Sequence, residues 1–114
     1  MTRGEIWWAE FGIIPYVNEH GFTRPVLVLQ NDSFNESKIK TIVVLPLTTN
    51  LRLANAPGNV LLRKEEANLT DDSVIMATQM CAIDRSWFKE KISKVTKSIM
   101  DQVEAGIKLV LGAG

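Results

Sequence analysis

Apolar and β-branched residues recur in short runs separated by polar turns, a pattern typical of strands rather than long helices. The run at 41–45 is continuously apolar, which predicts a strand buried on both faces. Adjacent Trp7 and Trp8 fall in the first run and must face opposite sides of its strand, one toward the core and the other toward a surface. The predicted strands are residues 4–10, 26–30, 41–45, 59–62, 73–80 and 91–95.

Helical signals occupy the gaps and the C-terminal segment. Polar N-cap residues predict single helical turns near 31–35, 64–68 and 84–88. After Thr96, a plausible N-cap, apolar residues recur at helical spacing up to the stop at Gly112, and Gly106 permits close packing. Five or six short strands and one terminal helix predict a mainly β (α+β) fold, a small and strongly bent antiparallel barrel.

Length and composition narrow the class of protein. The 114 residues predict a single domain, 1–114. Thirteen basic residues balance thirteen acidic ones, which argues against a general nucleic-acid coat protein but allows a local basic cleft. We expect no membrane span and no signal peptide. A single cysteine, Cys81, favours a reducing cytoplasm.

Candidate chemistry concentrates in the loop that leads into the second strand. Glu19, His20 and Arg24 lie within six residues of one another, and Pro25 suits the first position of the strand. The predicted loop, 11–23, is long enough to suggest a functional role. Residues 46–50 leave the third strand in a similar way. Without further information, a Glu and an Arg on one loop are more often a surface ion pair.

Other kinds of active site find less support in the sequence. His20 is the sole histidine, so a zinc site of several imidazoles is excluded. The pair Asp71-Asp72 is more typical of a turn than of a magnesium site, because no third carboxylate is spaced to help. No serine has the setting of an acyl-transfer nucleophile. We therefore expect neither metal nor cofactor.

Several segments, in order along the chain, resemble the MazF/PemK/Kid family of toxins from toxin–antitoxin systems. The opening RGEIW at 3–7 is similar to that family's start, and EHGFTRPVLV at 19–28 resembles its signature loop. PLTTN at 46–50, DSV at 72–74 and QMCAID at 79–84 complete the resemblance. His20 and Phe22 depart from the family's loop pattern, and Met76 and Thr78 stand where some members have an Arg and an acidic residue.

The resemblance implies an SH3-like barrel of the CcdB/PemK type, a homodimer and a cognate antitoxin. It also implies a metal-independent, sequence-specific endoribonuclease that cleaves single-stranded RNA through its 2′-OH, leaving 2′,3′-cyclic phosphate and 5′-hydroxyl ends. The catalytic residues that it implies are Arg24 as phosphate clamp, Thr48 as hydrogen-bond donor, Glu19 as base and His20 as base or acid. The expected RNA-binding residues are Phe22, Thr49, Asn50, Arg52 and Gln79.

Two alternatives stay open at this point. One is a non-catalytic toxin on the same barrel, similar to the CcdB toxins that inhibit gyrase, which binds a protein target and needs no phosphate-directed arginine. The other is a plain RNA-binding barrel. The combination of Arg24 with Thr48 favours the nuclease.

Overall fold

The computed structural model describes residues 1–11 and 22–112, together with the backbone of 13–14 and 19–20. The strands are β1 (Glu5–Glu10), β2 (Ile13–Ile14), β3 (Glu19–His20), β4 (Thr23–Val28), β5 (Thr41–Thr48), β6 (Val60–Leu62), β7 (Ser73–Ile75), β8 (Cys81–Asp84) and β9 (Phe88–Lys94). The α-helices are α1 (Asp32–Asn35), α2 (Lys64–Ala67) and α3 (Lys97–Leu111). Short 3-10 helices span Leu51–Asn55, Ala77–Gln79 and Arg85–Trp87.

Antiparallel pairing joins seven strands in the order β6-β7-β5-β4-β1-β9, and β8 also pairs with β5. β5 is central because one of its edges pairs with β4 while the other is shared by β8 and β7. The sheet curls into a half-barrel that carries α3 at its C-terminal end. The predicted α+β fold class is confirmed, and β9 lies at a sheet edge as expected.

Two apolar clusters flank the central strands. Leu27, Leu45 and Leu47 belong to a cluster that includes Val103 of α3, whereas neighbouring residues of the same strands belong to a second cluster with Ile83. This alternation confirms that the run at 41–45 is buried on both faces, with its first residue exposed. No helix in the described ranges is long and apolar enough to cross a membrane.

The predicted bounds of the C-terminal helix are confirmed. The Thr96 hydroxyl accepts a hydrogen bond from the Ile99 amide, and Gly112 ends α3 in the left-handed conformation. A Cβ on Gly106 would lie only 2.1 Å from the carbonyl oxygen of Gly58, so this helical glycine allows a backbone contact that no other residue permits. The single turns predicted near 31–35, 64–68 and 84–88 are also present, the last as a 3-10 helix.

The prediction of one strand over 73–80 is wrong. β7 ends at Ile75, a 3-10 turn follows, and β8 begins only at Cys81. β7 and β8 pair with different parts of the same edge of β5, so the chain must leave the ladder between them. The local pattern of residues 73–80, apolar from Val74 to Ala77 and then mixed, does not mark such a change of partner.

The bounds of the two strands that contain Pro25 and Pro46 also differ from the prediction. β4 begins at Thr23 and ends at Val28, not at residue 30, so Pro25 is its third residue; β5 continues through Pro46 to Thr48. Pairing between β4 and β5 starts only at Val26, and Pro46 lies between the β8 and β7 segments of the β5 edge. Each proline therefore faces a gap in a ladder, where the missing N–H costs no hydrogen bond. Part of the expected loop 11–23 is a two-stranded ribbon of β2 and β3.

Candidate active site

Arg24 and Thr48 come together because β4 and β5 are antiparallel. Val26 pairs with Pro46, and two residues further along each strand stand Arg24 and Thr48. Continuing that register sets the two residues opposite each other, with their side chains on the same face. Both side chains are half-buried, and both line the same two clefts.

The first cleft has a volume of about 280 Å³ and lies on the Trp8 side of the pair. Trp8, Pro25, Leu47 and Leu69 form its apolar walls, while the polar lining includes Asp71. Trp7 packs against the second core cluster and meets the ring of Phe88 edge-on. The prediction that the two tryptophans face opposite sides is confirmed.

The second cleft is larger, about 610 Å³, and lies on the other side of Arg24 and Thr48. Gln79, one of the expected RNA-binding residues, contributes to it, as do Met76 and Thr78. Its remaining lining is mostly apolar: Phe11, Pro46, Leu53, Met80 and Cys81. Together the two clefts form a continuous surface with Arg24 and Thr48 at its middle.

An aromatic group supports the Arg24 guanidinium. The Arg24 Cζ lies 4.7 Å from the centroid of the Phe22 ring, and that ring stacks on Phe11 at 5.3 Å. Phe11 in turn contacts Trp87 at 5.7 Å. No ion pair to Arg24 is formed by any residue whose side chain the structure describes. The guanidinium is thus held over a ring face and can direct its N–H groups at an anion in the clefts.

Thr48 is oriented by the loop that follows it. Its Oγ1 accepts a hydrogen bond from the Asn50 amide at 3.2 Å, so the hydroxyl proton points elsewhere and can serve a ligand. The Asn50 side chain caps the next 3-10 helix by accepting from the Arg52 amide. Within the described part of the chain, Asn50 and Arg52 lie outside both clefts, whereas Thr49 lines the first one.

The remaining predicted site residues, Phe22, Glu19 and His20, precede β4 in the chain. Phe22 is 54% exposed and contacts Arg24, so its ring lies beside the site. Glu19 and His20 belong by their backbone to β3, next to β4 in the chain, but their side chains lie outside the described residues. Their catalytic roles stay predictions.

Several lining residues were not identified from the sequence. Leu53 and Met80 reach the second cleft from the 3-10 helix after β5 and from the turn before β8, features that strand periodicity does not mark. Cys81 lies there too, and burial raises the pKa of its thiol, so the thiol is neutral at neutral pH. A further depression of about 300 Å³ continues from the first cleft past Asp71 toward Lys64.

Metal-ligand clusters are absent from the described residues: no three His, Cys, Asp or Glu side chains come close enough to hold an ion. Asp72 of the acidic pair accepts a hydrogen bond from the Lys64 amide at 2.8 Å and so anchors a turn. That part of the turn interpretation is confirmed. Metal independence itself stays a prediction.

Comparison with known proteins gives consistent matches over nearly the whole chain. A family model described as PemK-like, MazF-like toxin of type II toxin–antitoxin system matches residues 2–111. Endoribonuclease MazF6 of Mycobacterium tuberculosis is 34% identical over 111 residues, which cover 97% of this chain and 96% of the relative. Endoribonuclease MazF of Staphylococcus epidermidis is 31% identical over 112 residues, covering 98% and 92%.

Solved structures agree on the fold. A MazE–MazF structure from Deinococcus radiodurans superposes with a TM-score of 0.81 at 21% identity, covering 100% of this chain and 97% of that one. An endoribonuclease from a mycobacterial species, in complex with its cognate antitoxin, gives a TM-score of 0.80 at 18% identity with the same coverage. At these identities the likeness concerns the fold alone, and it agrees with the predicted barrel class.

Proposed function

Because this chain belongs to the PemK-like, MazF-like toxin family of type II toxin–antitoxin systems, we propose that it is the toxin of such a pair and acts as an endoribonuclease. The substrate is single-stranded RNA, cut at a specific sequence without a metal ion. The whole of 1–114 serves as one toxin domain. The relatives named endoribonuclease, at 31% and 34% identity, support the proposed activity.

One observation carries the proposal: Arg24 and Thr48 both line each of the two clefts. A phosphodiester placed there receives charge-assisted hydrogen bonds from the guanidinium and a neutral one from the Thr48 hydroxyl. The two clefts, of about 280 and 610 Å³, are where the flanking nucleotides would lie. A protein-binding toxin has no need of a cation and a hydroxyl aimed at one point.

The proposed reaction uses the RNA's own 2′-OH. A base removes the O2′ proton, O2′ bonds to phosphorus, and the P–O5′ bond breaks as O5′ takes up a proton. Arg24 stabilises the charge that grows on the nonbridging oxygens, and Thr48 orients one of them. Glu19 is the proposed base and His20 a base or acid, since both precede β4 by only a few residues. The products are a 2′,3′-cyclic phosphate and a 5′-hydroxyl.

The surroundings support roles for the other predicted contacts. The exposed ring of Phe22 offers a face for an unpaired base, and Gln79 and Thr49 supply polar groups on either side of the phosphate. Arg52 and Asn50 lie further along the same loop, where Arg52 can meet a more distant phosphate.

We further propose that the toxin works in the cytoplasm as a homodimer, since two copies double the basic loops along one groove. The apolar lining of the second cleft, including Leu53 and Met80, suits apolar side chains of an antitoxin tail that is otherwise acidic. Such a tail would exclude RNA by occupying the same cleft as Arg24.

Incubation of purified protein with a long RNA, with and without EDTA, tests this proposal. We expect cleavage at a small set of sequences, unaffected by EDTA, and mass spectrometry should find cyclic phosphate and 5′-hydroxyl ends. Loss of cleavage in EDTA, restored by added Mg²⁺, would contradict metal independence. Absence of cleavage with inhibition of gyrase would support the protein-binding toxin instead.

A further inference from the structure

The first cleft contains a carboxylate for which the proposed reaction gives no role. Asp71 is exposed and lines the same cleft as Arg24 and Thr48. RNA is a polyanion, so a carboxylate beside its path repels the backbone unless it faces something that donates hydrogen bonds. The groups of RNA that donate are the bases and the sugar hydroxyls.

Local hydrogen bonds fix the position of Asp71. The Thr70 hydroxyl donates to Asp71 Oδ2 at 3.2 Å, and the Ser73 hydroxyl donates to the Asp71 backbone carbonyl at 3.2 Å. Asp72 anchors the same turn to the start of α2. Among the groups that the structure describes, none donates to Asp71 Oδ1. Asp71 is therefore a positioned acceptor with one oxygen available, unlike its neighbour, which is engaged within the turn.

The rest of the first cleft suits a flat ring. Trp8 and Pro25 lie directly across β1 and β4, paired in the sheet, and both line the cleft with Leu47. Aromatic and apolar walls are the usual surfaces against which proteins stack unpaired bases. At about 280 Å³, the cleft is slightly smaller than sites for drug-sized ligands, about 300–1,000 Å³, which fits a single base.

We infer that the first cleft is a recognition subsite for one nucleobase bearing an exocyclic amino group, with Trp8 and Pro25 flanking the ring and Asp71 accepting from the amine. This inference rests on the proposed endoribonuclease function, because the phosphate next to that base is the one held by Arg24. Cytosine, adenine and guanine each present an exocyclic amino donor. Uracil has none: its only ring-edge donor, N3–H, lies between two carbonyl oxygens that a carboxylate repels. The subsite consequently selects against uracil beside the cleaved bond.

Sequencing the ends of a cleaved RNA of random sequence tests the inference. For the wild-type protein, we expect uracil to be disfavoured at one position flanking the cut by roughly 5- to 100-fold. Asp71→Asn should remove that bias at this position alone, because an amide can donate to the uracil carbonyl, and it should fold normally since the Thr70 hydroxyl can still donate to the amide oxygen. Asp101→Asn, the same change at an exposed carboxylate of α3, is the matched control and should leave the profile unchanged.

Titration with nucleotides separates this inference from the proposed function. In NMR spectra of the wild-type protein, cytidine 3′-monophosphate should shift the Trp8 indole signal and bind more tightly than uridine 3′-monophosphate. Asp71→Asn should bind the two equally. If wild type cuts RNA but Asp71→Asn keeps the same base profile, the inference is overturned while the proposed function stands. If no RNA is cut, the proposed function fails, and equal binding of both nucleotides by wild type would then overturn the subsite too.

Discussion

Two arginines, Arg24 near the start of β4 and Arg85 beside α1, show how the surroundings of a side chain decide its role. The Arg85 guanidinium donates to the backbone carbonyls of Phe34, Asn35, Ser37 and Ile39, closing the loop between α1 and β5. Arg24 instead rests on the Phe22 ring and faces two clefts. Donors that are already satisfied hold the fold together, whereas donors left for a ligand can serve binding and catalysis.

Removing Arg24 should have the largest effect on activity and little on stability. Arg24→Ala takes away the group that stabilises charge on the reacting phosphate, so we expect kcat to fall on the order of 10²–10³-fold. Its melting temperature should fall only slightly, because the side chain makes no hydrogen bond to a described protein group and its loss removes only the contact with the Phe22 ring. The comparison requires a cleavage assay and thermal unfolding on the same sample.

The matched control is Arg52→Ala, which removes the same charge from the loop after β5. Since Arg52 lies outside both clefts, it should weaken RNA binding at low salt while leaving kcat close to wild type. Equal losses of kcat in the two variants would mean that Arg24 contributes general charge rather than a placed contact.

Glu5 extends the comparison to a buried carboxylate whose charge serves the fold. Burial raises its pKa, but hydrogen bonds from the Trp7 indole and the Thr2 amide, and the ammonium of Lys91 at 3.1 Å, outweigh this and lower the pKa to about 2. Because the pKa of Glu5 in the folded state lies below the ordinary 4.5, the ionised carboxylate stabilises the fold above pH 4.5. This contribution to stability is lost as pH falls toward 2. We expect up to about 3 kcal/mol of acid-sensitive stability.

Urea unfolding as a function of pH measures that contribution. Wild type should lose stability steadily between pH 4.5 and 2, the interval bounded by the two pKa values. Glu5→Gln should start lower and show a shallower slope over the same interval. If the free energy of unfolding falls with pH in parallel for the two proteins, carboxylates other than Glu5 cause the loss of stability in acid.

Arg85 should behave as the converse of Arg24. Arg85→Ala leaves several backbone carbonyls without their charged donor, so we expect the free energy of unfolding to fall by about 1.5–3 kcal/mol. Cleavage measured well below the melting temperature should stay near wild type, since Arg85 lines neither cleft. If Arg85→Ala lost cleavage activity but kept wild-type stability, the assignment of Arg85 to the fold and not to the site would be wrong.

Thr48 offers the smallest and most specific change at the site. Thr48→Val removes the hydroxyl donor while keeping the branched shape, and a single neutral hydrogen bond in the transition state corresponds to a rate loss of roughly ten-fold. Thr48→Ser keeps the hydroxyl and should retain most activity. If the serine variant is as impaired as the valine variant, the methyl group and not the hydroxyl is what the site requires.

The contrast between the arginines also marks what the sequence can predict. Strand periodicity and the caps at Thr96 and Gly112 identify most elements because these signals are local. Arg24 and Thr48 were identified through resemblance to a family, although the antiparallel register alone sets them opposite each other once the strands are known. The role of Arg85 was not foreseeable, because its partners are backbone carbonyls 46 to 51 residues away.

A similar limit applies to the clefts. Asp71 and Asp72 are adjacent and chemically identical in the sequence, yet Asp72 anchors a turn whereas Asp71 lines the first cleft. The break between β7 and β8, which brings Met80 and Cys81 to the second cleft, follows from competition for one edge of β5. Both facts depend on tertiary pairing, which no local pattern encodes.

The most direct test of the central claim, that Arg24 and Thr48 activate RNA to cleave itself, is a single 2′-deoxy substitution on the 5′ side of the cut bond. Removing that hydroxyl removes the nucleophile, so cleavage of the modified oligonucleotide should stop at that bond. Binding should change little, because one hydroxyl contributes only about 1 kcal/mol of hydrogen bonding. Cleavage of the deoxy-substituted RNA at the same bond and rate would contradict the account.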